Sequence, residues 1–132
     1  GIVWAWGYNC RGQLGDGTKT DRTAPVQVSG LSDVAAIVAT LHGNTIALKK
    51  DGTVWTWGDN NSGQLGDGTK TNRTTPGQVS GLSDVTAIAA GFFYAAALKG
   101  NGTIWAWGDN EYGQLGDGTT IDHYIPVQVV EF

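Results

Sequence analysis

The chain has 132 residues, with 21 Gly, six Trp and no Met, and its 8 basic and 12 acidic residues sum to a net charge of −4. That length suits one small domain, with no run of 18 apolar residues to cross a membrane and no basic tract to hold a phosphate backbone. An apolar share of 40% argues against disorder, and Cys10 alone makes neither an intramolecular disulfide nor a thiolate metal site.

The first predicted element is Val3–Trp6, a continuous apolar run closed by Gly7. It predicts a strand buried on both faces, with Trp4 and Trp6 on one side and Val3 and Ala5 on the other. Pro25–Val28 follows as a strand whose Pro and polar alternation suit a sheet edge. Ala36–Ala39 predicts a strand walled in by small residues. Ile46–Leu48 and Val54–Trp57 flank Asp51-Gly52, the signature of a tight hairpin. The pattern then recurs: Ala87–Ala90 is a strand, and Ala95–Leu98 and Ile104–Trp107 flank Asn101-Gly102. No stretch carries helical periodicity with caps. Four short strands in about 50 residues, joined by Gly-rich turns, is the pattern of one propeller blade.

Internal repetition is the dominant signal. Trp-x-Trp-Gly begins at Trp4, Trp55 and Trp105, and Gly-Gln-Leu-Gly-Asp-Gly-Thr begins at Gly12, Gly63 and Gly113. Residues 3–37 and 54–88 agree at 27 of 35 positions, and the first copy carries one extra residue near Leu41 to Asn44. Copies therefore begin near residues 3, 54 and 104, the last incomplete. The expected architecture is a single all-β segment over 1–132. It is a partial β-propeller of two full four-stranded antiparallel blades and a leading half-blade.

The order Ile-Ala-Ala-Gly, Ala-Leu-Lys-x-x-Gly-x-x-Trp-x-Trp-Gly-x-Asn and Gly-Gln-Leu-Gly, running from Ile88 to Gly116, resembles the repeat of the regulator of chromosome condensation family. The resemblance spans essentially the whole chain. It implies four-stranded blades that normally close a seven-bladed ring, of which this chain supplies about one third. The Gly-Asp-Gly-Thr variant is similar to bacterial members, many of them secreted, and so implies an extracellular or cell-surface setting.

Candidate chemistry is sparse. Gly12–Gly17 followed by Thr18-Lys19 is one residue out of step with a phosphate-binding loop, Asp16 would repel phosphate, and no helix follows. Asp59–Gly63 and Asp109–Gly113 gather oxygens without the alternation and distal Glu of a Ca²⁺ loop, so Asn9, Asn60 and Asn110 are expected to bond local backbone. The paired Trp occupy core positions and read as inter-blade packing. Asp16, Asp67 and Asp117 recur in every copy, whereas a catalytic site is unique. No enzyme, cofactor or metal site is expected.

Function is expected where the copies differ. Phe92-Phe93-Tyr94 replaces Leu41-His42-Gly43-Asn44 between the first and second strands of a blade, and alternate residues at most can point into a sheet. Exposed aromatics serve as protein-binding anchors, so Phe92, Phe93, Tyr94, His42 and Tyr112 are the candidate binding residues. The expected function is a non-enzymatic scaffold that recognises a protein partner through rim loops. The alternative is a purely structural segment that completes a ring or oligomer. The resemblance also brings, behind these two, binding like that of a guanine-nucleotide exchange factor or an enzyme inhibitor. Self-association through open blade edges is expected from both uncapped ends, where Trp4, Tyr124 and the tail Val129–Phe132 add apolar surface. The chain begins with Gly1 rather than Met, which reads as a processed or excised end.

Overall fold

The computed structural model describes residues 1–130, so Glu131 and Phe132 of the apolar tail lie outside the described residues. Ten strands follow in order: β1 (Trp4–Gly7), β2 (Arg22–Gln27), β3 (Val34–Ala39), β4 (Asn44–Lys49), β5 (Val54–Gly58), β6 (Arg73–Gln78), β7 (Val85–Ala90), β8 (Tyr94–Lys99), β9 (Ile104–Gly108) and β10 (His123–Gln128). They form three antiparallel sheets in chain order: the pair β1-β2, then β3-β4-β5-β6, then β7-β8-β9-β10. The chain is all-β, a partial propeller of one half-blade and two full blades, with no helix among the described residues.

Local chemistry sets the turns. Between β4 and β5, Gly52 takes the left-handed conformation (φ 81°) and its N–H donates to the Lys49 carbonyl at 3.0 Å. The Asp51 carboxylate accepts from the Thr53 N–H and hydroxyl at 3.0 and 2.6 Å, locking a three-residue hairpin loop. Asn101 repeats the arrangement with Thr103. The Pro-containing strands β2, β6 and β10 each lie at a sheet edge, where a missing N–H costs no ladder bond.

The core lies between blades. Val28, Leu31, Ala47 and Trp57 close the gap between the half-blade and the first full blade. Ile46, Leu48, Val54, Val79, Leu82, Val85, Ala95, Ala97 and Trp107 close the gap between the two full blades. Each buried Trp reaches back across its gap: Trp57 Nε1 donates to the Gln13 carbonyl, and Trp107 Nε1 to the Gln64 carbonyl, both at 2.9 Å. The ring rests on a glycine, Gly15 under Trp57 and Gly66 under Trp107, where an added Cβ would come within 2.7 and 2.9 Å of the indole. Removing one such indole from water is worth about 5 kcal/mol of transfer free energy before entropy is counted.

One expectation needs correction. The strand read at Val3–Trp6 is buried on one face only. Val3 and Ala5 pack toward β3–β6, while the alternate residues Ile2, Trp4, Trp6 and Tyr8 are all exposed, Trp6 at 62%. The equivalent Trp57 and Trp107 are fully buried. No glycine among the described residues seats Trp6 as Gly15 seats Trp57 and Gly66 seats Trp107.

Candidate protein-binding surface

The long loops, residues 8–21, 59–72 and 109–122, are knitted by one buried side chain each. The Asn60 amide N–H groups donate to the carbonyls of Thr69 and Thr71, each at 3.0 Å, and to the Asp67 carboxylate, while Asn60 Oδ1 accepts from the Leu65 N–H at 3.0 Å. Asn9 and Asn110 repeat the set. Asp16, Asp67 and Asp117 each accept from the Thr two residues on. Burial raises the affinity of Asp117 for its proton. The bonds from Thr119, His123 (2.6 Å) and Asn110 outweigh that and bring its pKa down to about 2. Burial likewise opposes ionisation of Asp16, yet Thr18 and the Arg22 guanidinium at 2.8 Å lower its pKa on balance. These carboxylates are occupied in holding loops. Gln64 is a residue that the sequence reading passed over: fully buried, it accepts from the Ser62 N–H, donates to Asp59 and offers its carbonyl to Trp107. Its recurrence as Gln13 and Gln114 was the available signal.

The non-repeated turns present a different surface. The β3–β4 turn (residues 40–43) is closed by the Thr40 N–H donating to the Asn44 carbonyl, and the β7–β8 turn (residues 91–93) by Gly91 donating to Tyr94. The side chain of His42 crosses from one blade to the next. Its ring meets Phe92 edge-on at 5.0 Å and lies tilted against Phe93 at 4.4 Å. Phe93 and Tyr94 are half-buried, and the Tyr94 ring folds back over Gly91, where a Cβ would collide with it. Phe92 stays 61% exposed and Leu41, beside it in the adjoining blade, 90%. Leu41 and Phe92 flank a shallow hollow floored by Ala39, Ala90 and Gly91. Leu41 also borders a second hollow with Trp6, Tyr8 and Trp57. Four of the candidate residues are thus brought to one rim. Tyr112 is exposed on the β9–β10 loop and borders neither hollow.

This geometry of stacked, Trp-pinned blades has known counterparts. The model of the regulator of chromosome condensation (RCC1) repeat matches residues 1–46, 51–98 and 101–132. The chain belongs to this family. A second RCC1 repeat model matches 34–64 and 85–114. Among curated relatives, a protein RCC2 homolog of Danio rerio is 42% identical over 73 residues, 54% of this chain and 15% of the relative. The E3 ubiquitin-protein ligase HERC2 of Mus musculus is 36% identical over 91 residues, 67% of this chain and 2% of its own length. Among solved structures, human WBSCR16 superposes with a TM-score of 0.82 at 27% identity, covering 97% of this chain and 33% of that one. Prp20p of Saccharomyces cerevisiae, which has binding properties to Gsp1p and histones, gives 0.82 at 21% identity, covering 98% and 34%, which shows the shared fold. The chain spans about a third of these propellers and less of the curated relatives. These relatives come from animals and yeast, so they lend no support to a bacterial or cell-surface setting.

Proposed function

We propose that the chain is a non-catalytic, protein-binding propeller segment that docks its partner on the rim made by Leu41, His42, Phe92 and Phe93. The observation that carries this is the pairing of two largely exposed apolar side chains, Leu41 and Phe92, across a blade boundary that His42 holds in register. Pre-ordered apolar anchors around a hollow lose little entropy on binding, which is the character of an interface hot spot. The recurring carboxylates are committed to loop structure, which leaves binding as the work of this surface. The binding of Gsp1p, histones and Kap60 to the yeast relative supports a protein as the ligand class.

The test is a Leu41→Ser, Phe92→Ser double variant. Titration of Gsp1p, histones and Kap60 against the wild-type chain should give binding for at least one of them. The variant should bind that partner at least about 30-fold more weakly while its melting temperature stays unchanged. Binding that survives the double substitution would refute the rim as the docking surface.

A further inference from the structure

Five pairs of Asp or Asn followed by Gly occur in the chain: Asp16-Gly17, Asp51-Gly52, Asp67-Gly68, Asn101-Gly102 and Asp117-Gly118. In such a pair the glycine nitrogen can attack the side-chain carbonyl carbon of the residue before it, because no Cβ on the glycine crowds the closing ring. A neutral amide is open to this attack, whereas an ionised carboxylate repels it. The four Asp members are engaged as carboxylates. The Thr53 hydroxyl and N–H hold the Asp51 carboxyl below the ordinary carboxylate range. Burial opposes ionisation of Asp16 and Asp117, but the bonds from Thr18 and Arg22 to the first, and from Thr119, His123 and Asn110 to the second, outweigh it. Asp67 accepts from the Thr69 N–H and hydroxyl at 2.9 and 2.8 Å, with Arg73 3.8 Å away. Only Asn101 presents an amide to a following glycine.

Asn101 is exposed at the tip of the β8–β9 hairpin. Its counterpart Asp51 is exposed too, although Asp84 of the next blade packs beside that hairpin, so a following blade leaves the position open. Asn101 Oδ1 accepts from the Thr103 N–H at 3.0 Å and from the Thr103 hydroxyl at 2.7 Å. These two donors curl the side chain over the Gly102 nitrogen. They also polarise its carbonyl, where negative charge gathers as the nitrogen attacks. One restraint opposes the step: the Gly102 N–H donates to the Lys99 carbonyl at 3.0 Å, and this bond opens first. Exposed loops open at low free-energy cost. The other asparagines lack the glycine. Asn9, Asn44, Asn60 and Asn110 are buried as well, and Asn72 Oδ1 is taken by the Asn60 N–H. Asn61, exposed and followed by Ser62, is the internal comparison.

We propose that Asn101 is a site of spontaneous deamidation, in which the Gly102 backbone nitrogen displaces ammonia from the Asn101 amide. The Gly102 N–H gives its proton to solvent base, the N–Cγ bond forms, and the Cγ–Nδ2 bond breaks with Nδ2 leaving as ammonia. Water then opens the cyclic imide at either carbonyl, giving aspartate or isoaspartate at position 101, and no other reactant is consumed. The aspartate product finds the place that Asp51 already fills in the preceding blade, with Thr103 donating to it as Thr53 does to Asp51. The isoaspartate product adds a methylene to the main chain and spoils the three-residue loop. The site lies at the end of β8 away from Phe92 and so stands apart from the docking rim.

Tryptic mapping of the chain held at physiological temperature in mildly alkaline buffer reads the modification. The fragment that follows Lys99 should gain the mass of an amide-to-acid change, assigned by fragmentation to Asn101 and not to Asn110, with ammonia released in step. Asn61 should change at least about 10-fold more slowly. Asn101→Gln, which would have to close a larger ring, should abolish the change. If that variant melts differently from the wild type, Gly102→Ala, whose Cβ crowds the ring, takes its place. Asn101→Asp should melt as the wild type does, while the isoaspartyl form, separated chromatographically, should exchange its β8 and β9 amides faster. A fragment that keeps its mass, an Asn61 rate equal to that of Asn101, or an Asn101→Asp chain that melts well below the wild type would each overturn the proposal.

Discussion

Asn60 shows how much one side chain carries. It is fully buried, and its amide serves two carbonyls, a carboxylate and a backbone N–H of a 14-residue loop that forms no ladder of its own. Asn60→Ala strands those groups without partners, and leaving buried polar groups unpaired costs about 1–3 kcal/mol each. Urea denaturation should therefore show a loss of about 3 kcal/mol for Asn60→Ala and almost none for Asn61→Ala, whose side chain is exposed. Asp117 adds a pH dependence. Its carboxyl has a pKa of about 2 in the fold against an ordinary 3.8, so the folded state favours the ionised form. That stability is complete above about pH 4 and fades as the pH falls through about 2. At about 1.4 kcal/mol per unit its upper bound is about 2.5 kcal/mol. Asp117→Asn should flatten the decline in stability between pH 5 and pH 2, measured by urea titrations at each pH; a curve parallel to the wild type would contradict the assignment.

At the scale of elements, blades meet through a glycine and an indole. Gly66 has φ 67° and its missing Cβ makes room for Trp107, whereas Gly81 has φ 68° and nothing within 4 Å of the same position. Alanine at Gly81 meets only the left-handed backbone, at about 1 kcal/mol, while alanine at Gly66 meets that and displaces the indole. Thermal melts should rank Gly66→Ala well below Gly81→Ala, and equal losses would mean that the indole is not seated on the glycine. The strands, their hairpins and the equivalence of the Trp positions were legible in the sequence, because period-two alternation and Asp-Gly or Asn-Gly turns are local signals. The burial of β1 was misread because its apolar run matches that of β5, and only the absence of a described neighbour on one side separates them. The contact of His42 with Phe92 and Phe93 was illegible for a related reason. It joins residues about 50 positions apart, at the point where the repeats stop matching, so no periodicity could announce it.

Across the whole molecule, stability is distributed as in other stacked repeats, where each unit is held by its own strands and by its neighbours. The middle sheet, β3–β6, has a neighbour on both sides: Trp57 enters its junction with the half-blade, and Trp107 enters its junction with the last blade. The last sheet has one such neighbour. The half-blade has one as well, and β1 pairs with β2 alone, leaving the opposite edge of the strand without a ladder partner among the described residues. Its backward face is a row of exposed apolar side chains that contributes nothing to the fold of the isolated chain. Local opening should thus begin at the half-blade. Native-state hydrogen exchange on the dilute chain should find amides of β4 and β5 exchanging at the rate of global unfolding, those of β8 and β9 somewhat faster, and those of β1 and β2 fastest. Uniform exchange through all ten strands would show that the blades unfold as a single unit rather than as a stack.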